Sequence, residues 1–158
     1  MEASLLKGKT ILAVDDEPDV LQVLENEIRD ACPDCTIEQA TTYEQAAEML
    51  RSKHYDVVIL DIMGVRGFDL LEIAVNRNYK VAMLTAHALN PEALKKSHDL
   101  GARAYLPKEK LGEIVSFLED MLQHEYKTGW RRLLEKLENY FDDRFEPGWK
   151  RQAGINYW

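Results

Sequence analysis

Two adjacent carboxylates (Asp15 and Asp16), a third at Asp61, a hydroxyl at Thr85 and an ammonium at Lys108 share one feature. Each closes or closely follows a short apolar run, at residues 10–14, 57–60, 80–84 and 102–106. Three carboxylates at close quarters repel one another unless a cation sits among them. A hard divalent ion suits such a set. Magnesium suits it best, because it binds through one or two carboxylates together with waters and a phosphate oxygen. A hydroxyl and a fixed ammonium nearby are donors for an oxyanion. Together these groups match the needs of a phosphoryl group, which arrives either on a ligand or on the protein, since a carboxylate can itself be the nucleophile that forms an acyl phosphate. Taken alone, Asp61 also reads as the cap of a following helix. The elements around it decide.

Val57, Val58, Ile59 and Leu60, three of them β-branched, run straight into Asp61. An unbroken apolar run of this length reads as a strand buried on both faces of a parallel sheet. Residues 10–14, 36–40, 80–84 and 102–106 read as four further strands. Pro18 opens a first helix with Val20, Leu21, Val23, Leu24 and Ile28 on one stripe. Thr41 or Thr42 caps a second, through Ala46, Ala47, Met49 and Leu50, with Gln45 at capping-box distance from Thr42. Phe68 to Val75 make a third. Asn90-Pro91 opens a fourth, which Gly101 stops, and Leu111 to Leu122 make a fifth. Strands alternating with helices predict an α/β fold: a doubly wound, five-stranded parallel sheet in the flavodoxin-like order 2-1-3-4-5. In that order all five polar residues fall on one rim of the sheet. Independent helix caps would explain the carboxylates but not the lysine.

The chain has 158 residues, 46% of them hydrophobic, enough for one domain with a real core and an appendage. Its formal net charge of −8 argues against nucleic acid as the main partner. Met1 to Thr10 carry no long apolar run, so neither a secretory signal nor a membrane span is expected, and a cytoplasmic protein is. Cys32 and Cys35 stand in a Cys-Pro-Asp-Cys spacing, but between a helix and the next strand rather than between a strand and its helix. Two reduced, partly buried thiols are expected, and the spacing is too sparse for zinc. No Gly-rich loop follows the first strand, which excludes the common nucleotide-binding motifs. The acids are adjacent and on separate strands, unlike the Asp-x-Asp of haloacid dehalogenase phosphatases.

Asp15-Asp16-Glu17-Pro18, Leu60-Asp61-Ile62-Met63, Leu84-Thr85-Ala86 and the stretch from Gly101 to Lys108 occur in order and in the right strand context. Over residues 8–122 the chain resembles the receiver domain of two-component response regulators. That resemblance implies that Asp61 is the phosphoacceptor, charged from a phosphohistidine on a sensor histidine kinase or phosphotransfer protein. It implies Mg2+ held by Asp15, Asp16, Asp61 and the backbone carbonyl of Met63. It assigns the phosphoryl oxygens to Thr85 and Lys108, access to the small Ala86, and an inward turn to the aromatic Tyr105. The output face would be helix four, strand five and helix five. The chain departs from the family in two places. Gly64-Val65-Arg66-Gly67 makes the loop after Asp61 shorter and free of proline, and Glu109 replaces the proline that commonly follows the lysine, where a trans bond is expected. His87 reads as a surface loop histidine beside the site, and His54, His98 and His124 are assigned no role.

Residues 123–158 form a helical, aromatic-rich extension with seven basic and six acidic residues. It is neither a basic DNA-binding arm nor a full output domain. On a helix capped by Thr128 and ended by Pro147-Gly148, the residues Trp130, Leu133, Leu134, Leu137, Tyr140, Phe141 and Phe145 share one face. That face either packs back on the same domain or meets a partner. With both sheet faces already covered, the expectation is a partner interface, with a downstream protein or a second copy in a homodimer. The stretch from Trp149 to Trp158 reads as partner-seeking or unordered. The function expected is a stand-alone phosphorylation switch, an enzyme only in promoting its own phosphorylation and dephosphorylation. The alternative is a phosphorylation-independent scaffold acting through the extra helix.

Overall fold

The structure is a computed structural model and describes residues 4–155. Strands β1 (Thr10–Val14), β2 (Thr36–Ala40), β3 (Val57–Asp61), β4 (Lys80–Thr85) and β5 (Ala104–Pro107) are parallel and lie in the order β2-β1-β3-β4-β5. Helices α1 (Pro18–Ala31), α2 (Tyr43–Ser52), α3 (Gly67–Asn76), α4 (Pro91–Asp99) and α5 (Ile114–Gln123) join and follow them. The chain continues as α6 (Tyr126–Arg144) and α7 (Trp149–Ala153).

Local chemistry explains most boundaries. Pro18 occupies the first turn of α1, where its missing N–H costs nothing. Thr42 Oγ1 accepts from Gln45 N at 3.2 Å, while Gln45 Oε1 accepts from Thr41 N rather than from Thr42 N, a capping box shifted by one residue. Asn90 Oδ1 accepts from Ala93 N at 2.7 Å to cap α4, and Gly101 (φ +100°) follows that helix. The fifth strand starts at Ala104 rather than Ala102, because Arg103 N already turns to Val81 O at 2.8 Å. Before α5 the chain makes a 3₁₀ segment, Lys108–Glu113, so Leu111 lies outside the α-helix. No cis peptide bond occurs among the described residues.

All residues of β3 are buried, as its composition demands. The two edges of the sheet differ. β2 leaves Thr36 and Gln39 exposed, with Ile37 and Glu38 half-buried, whereas every residue of β5 is buried. The reason is α6, which packs against β5 and α5. Trp130 Nε1 donates to Ala102 O at 2.9 Å, and the Phe141 ring lies 6.0 Å from that of Tyr105. Trp130, Leu133, Leu134, Leu137, Phe141 and Phe145 are buried in this chain's own core, with Tyr140 half-buried. This corrects the expected partner interface: helices covered both sheet faces, but the edge at β5 remained open, and the stripe fills it. The helix begins at Tyr126, with Glu125 at the N-cap position and making no side-chain capping bond, so Thr128 lies inside it and exposed. The expectation of a partner-seeking end is also corrected as far as Ile155. Trp149, Ala153 and Ile155 are buried, and α7 packs on α4. Tyr157 and Trp158 lie outside the described residues.

Cys32 and Cys35 are bonded as a disulfide, with Cα atoms 5.6 Å apart, and not the two free thiols expected. The turn that ends α1 places them, through Cys32 N to Ile28 O at 2.8 Å and Cys35 N to Cys32 O at 3.2 Å.

Candidate functional site

The site lies at the carboxyl ends of β1, β3, β4 and β5, where the strand order reverses between β1 and β3 and open α/β sheets hold ligands. Asp15 follows β1, pinned by its N–H to Ala40 O at 3.1 Å. It is fully buried, and its Oδ1 accepts from Glu17 N at 2.9 Å. Asp61 ends the central strand and is 4% exposed, while Asp16 is exposed. Oxygens of Asp15, Asp16 and Asp61 all lie within 4.8 Å of one another. Lys108 enters from the end of β5, and its Nζ is 2.8 Å from Asp15 Oδ2, 3.2 Å from Asp61 Oδ1 and 3.7 Å from Glu17 Oε1.

The electrostatics follow from that crowding. Burial first, then the Asp15 charge, push the Asp61 carboxyl up to about 6, against the opposing pull of Lys108. Asp15 is likewise raised by burial, which outweighs Lys108. Burial lowers Lys108, but Asp15 and Asp61 outweigh it and leave the ammonium raised. One ammonium is therefore shared by a cluster with surplus negative charge. Its contact with Asp15 Oδ2 is an ion pair without hydrogen-bond geometry, so among the described residues that buried oxygen has no hydrogen-bond donor. A hard oxygen set with an orphaned buried carboxylate oxygen fits Mg2+.

The loop after β3 is built around two glycines. A Cβ on Gly64 (φ +87°) would stand 2.5 Å from Asp16 Oδ2, and one on Gly67 would stand 2.1 Å from Asp61 O. Between them Arg66 takes a left-handed conformation (φ 54°), held by Asp69 at 2.9 Å and by the Tyr43 ring at 4.1 Å. The short loop thus approaches the acids closely, and Met63 is 52% exposed. That this loop borders the acids was expected from the sequence; that two of its positions have no room for a Cβ was not.

Thr85 is buried at the end of β4, and its Oγ1 accepts from Ala88 N at 2.7 Å. Tyr105, in β5, is fully buried and donates its hydroxyl to Ala88 O at 2.7 Å while accepting from Asn90 N at 3.1 Å. Ala88 therefore ties Thr85 to Tyr105, a role with no sequence signature. Ala86 and His87 are exposed on the same loop. Glu109 was also missed: its carboxylate accepts from Tyr140 Oη at 2.8 Å and from Arg144 at 3.2 Å, both on α6.

Residues 11–119 match the response regulator receiver domain family. Two relatives from Arabidopsis thaliana, the two-component response regulators ARR12 and ARR18, are 35% and 37% identical over 128 and 107 residues, which cover 77% and 64% of this chain. The chain spans about a fifth of the length of these relatives, 20% and 16%. A solved response regulator from Thermotoga maritima is 20% identical and superposes with a TM-score of 0.64 over 73% of this chain and 98% of its own, a likeness of fold.

Proposed function

The chain belongs to the response regulator receiver domain family, and from that membership we propose that it is a phosphorylation-dependent signalling switch whose phosphoacceptor is Asp61. The phosphoryl group comes from a phosphohistidine on a sensor histidine kinase or a phosphotransfer protein. An Asp61 carboxylate oxygen forms a bond to phosphorus as the phosphorus–nitrogen bond breaks. The electron pair of that bond leaves on the imidazole nitrogen, which takes up a proton. Attack by water later releases inorganic phosphate and restores the carboxylate.

Asp15, Asp16 and Asp61, with the backbone carbonyl of Met63, are the residues that would hold Mg2+. When bound, that ion supplies positive charge to the acidic cluster and to the phosphoryl oxygens. Lys108, already paired with Asp15 and Asp61, turns to a phosphoryl oxygen. Thr85 donates its hydroxyl to another, and Ala86 leaves the approach open. Tyr105 follows Thr85 through Ala88, to which both are hydrogen-bonded. A new charge of about −2 at Asp61 is enough to bias such a packed pair between two arrangements. The output is read by a protein, with no nucleic acid contact expected at a net charge of −8. The reaction is proposed to occur in the cytoplasm. Among the described residues no helix is long and apolar enough to cross a membrane.

The observation that carries this reading is the meeting of three carboxylates within 4.8 Å and one ammonium at the end of the central strand. Intact mass after incubation with acetyl phosphate, with and without Mg2+, tests it. A magnesium-dependent gain of one phosphoryl group, absent from Asp61→Asn, is the expected result. No gain in a folded protein would turn the reading to a phosphorylation-independent scaffold.

A further inference from the structure

Two of the residues proposed to answer the phosphoryl group are joined to the same turns of α6. The first path runs from Thr85 Oγ1 to Ala88 N (2.7 Å), from Ala88 O to the Tyr105 hydroxyl (2.7 Å), and from the Tyr105 ring to Phe141 (6.0 Å). The second runs along the chain from Lys108 to Glu109, whose carboxylate holds Tyr140 and Arg144. Phe141 thus ends the first path, and Tyr140 and Arg144 end the second, all within one turn of α6. Phe141 also stacks on Phe145 at 4.8 Å, and both rings meet Trp149 edge-on at 5.5 and 5.4 Å, which carries the connection into α7 and onto α4. The beginning of α6 is held differently. Trp130 donates to Ala102 O and Tyr126 to His98 O, beyond the reach of either path.

We propose that the second half of α6, with α7, is an intramolecular gate over the β5 edge, opened when Asp61 carries a phosphoryl group and pivoting about the Trp130 end. The inference rests on the phosphoacceptor reading above. The face uncovered is made of β5, α4 and α5, and the partner it takes is an amphipathic helix of the kind that covers it now. Such a helix presents an aromatic and leucine stripe, bordered by basic residues. On the gate the basic border is Arg144, now held by Glu109, while Asp120 holds Arg132 and Lys136 nearer the pivot. Those ion pairs lie at the surface and are individually weak, so the gate is held mainly by the burial of Phe141, Phe145 and Trp149. A movement at Tyr105 acts directly on that burial. Coupling of this kind is reciprocal: what loosens the gate also favours the phosphorylated state.

The full chain is loaded with acetyl phosphate and Mg2+, its phosphoryl content is read by intact mass, and backbone hydrogen exchange is followed by region. Exchange over residues 137–153 should rise by about tenfold on loading, with residues 18–52 unchanged. A labelled peptide of residues 137–153 should bind the loaded chain about tenfold more tightly than the unloaded one. The double variant Tyr140→Phe/Arg144→Ala, which removes the bonds to Glu109 and lifts the guanidinium from the ring at 140, should carry more phosphoryl group than the parent at equal donor concentration. A chain that gains its phosphoryl group while residues 137–153 stay protected and the peptide binds no better overturns the gate and leaves the phosphoacceptor reading intact. A chain that gains none removes both.

Discussion

At the scale of single residues, Asp61 is held against its own solvation. Its carboxyl, raised by burial and by Asp15 to about 6, sits above the value near 3.8 that it has when unfolded. A raised folded value favours the protonated native state. The stabilising contribution is complete below about pH 4 and is lost as pH rises through 6. In metal-free protein Asp61→Asn should therefore be more stable than the parent at pH 7, by on the order of 1–3 kcal/mol. The difference should shrink toward zero below pH 4, and urea titrations at several pH values measure it. Added Mg2+ should raise the parent's Tm and leave the variant's nearly unchanged. Gly64→Ala probes the metal side of the site, because its Cβ would meet Asp16 Oδ2 at 2.5 Å on a backbone with φ +87°. It should weaken Mg2+ binding in calorimetry and cost about 1 kcal/mol or more of stability. Gly112→Ala, with nothing within 4 Å of the new Cβ, should do neither. The five rim residues were legible from their places after apolar runs. Gly64, Ala88 and Glu109 were not, because their roles depend on neighbours far away in sequence.

At the scale of elements, the sheet has one open edge and one sealed edge, and α6 makes the difference. Phe141 is fully buried between Tyr105 and Phe145, so Phe141→Ala should cost about 3–5 kcal/mol. Trp130→Phe keeps most of the packing and loses the bond to Ala102 O, for about 1 kcal/mol. Thermal or urea unfolding reads both, and a cost for Phe141→Ala near zero would mean that α6 does not rest on β5. Helix and strand positions were legible because period and capping are local. Pro18, Thr42 and Asn90 start their helices as expected, while the 3₁₀ segment before α5 and the start of α6 at Tyr126 departed from expectation.

At the scale of the whole molecule, one continuous buried cluster runs from Leu6 through the sheet to Ile155. Receiver and extension should therefore unfold together when Asp61 is unmodified. All three tryptophans lie in the extension, at 130, 149 and 158, so fluorescence reports on that part and far-UV circular dichroism on the whole. Their urea midpoints should coincide, and a fluorescence transition well before the other would show the extension to be a separate unit. By itself the sequence determined the α/β alternation and the polar residues at strand ends, which are written in local patterns, while the strand order was expected as the common one for an alternating chain of this size. It also determined that one face of the extra helix must be buried. It did not determine against what: an amphipathic stripe states the need for a cover and carries no information about its identity. Only the tertiary structure decided that the cover is the chain's own β5 edge, that Cys32 and Cys35 meet across a tight turn, and that Tyr105 and Glu109 touch the extension, because those contacts join residues from 3 to 36 positions apart through packing.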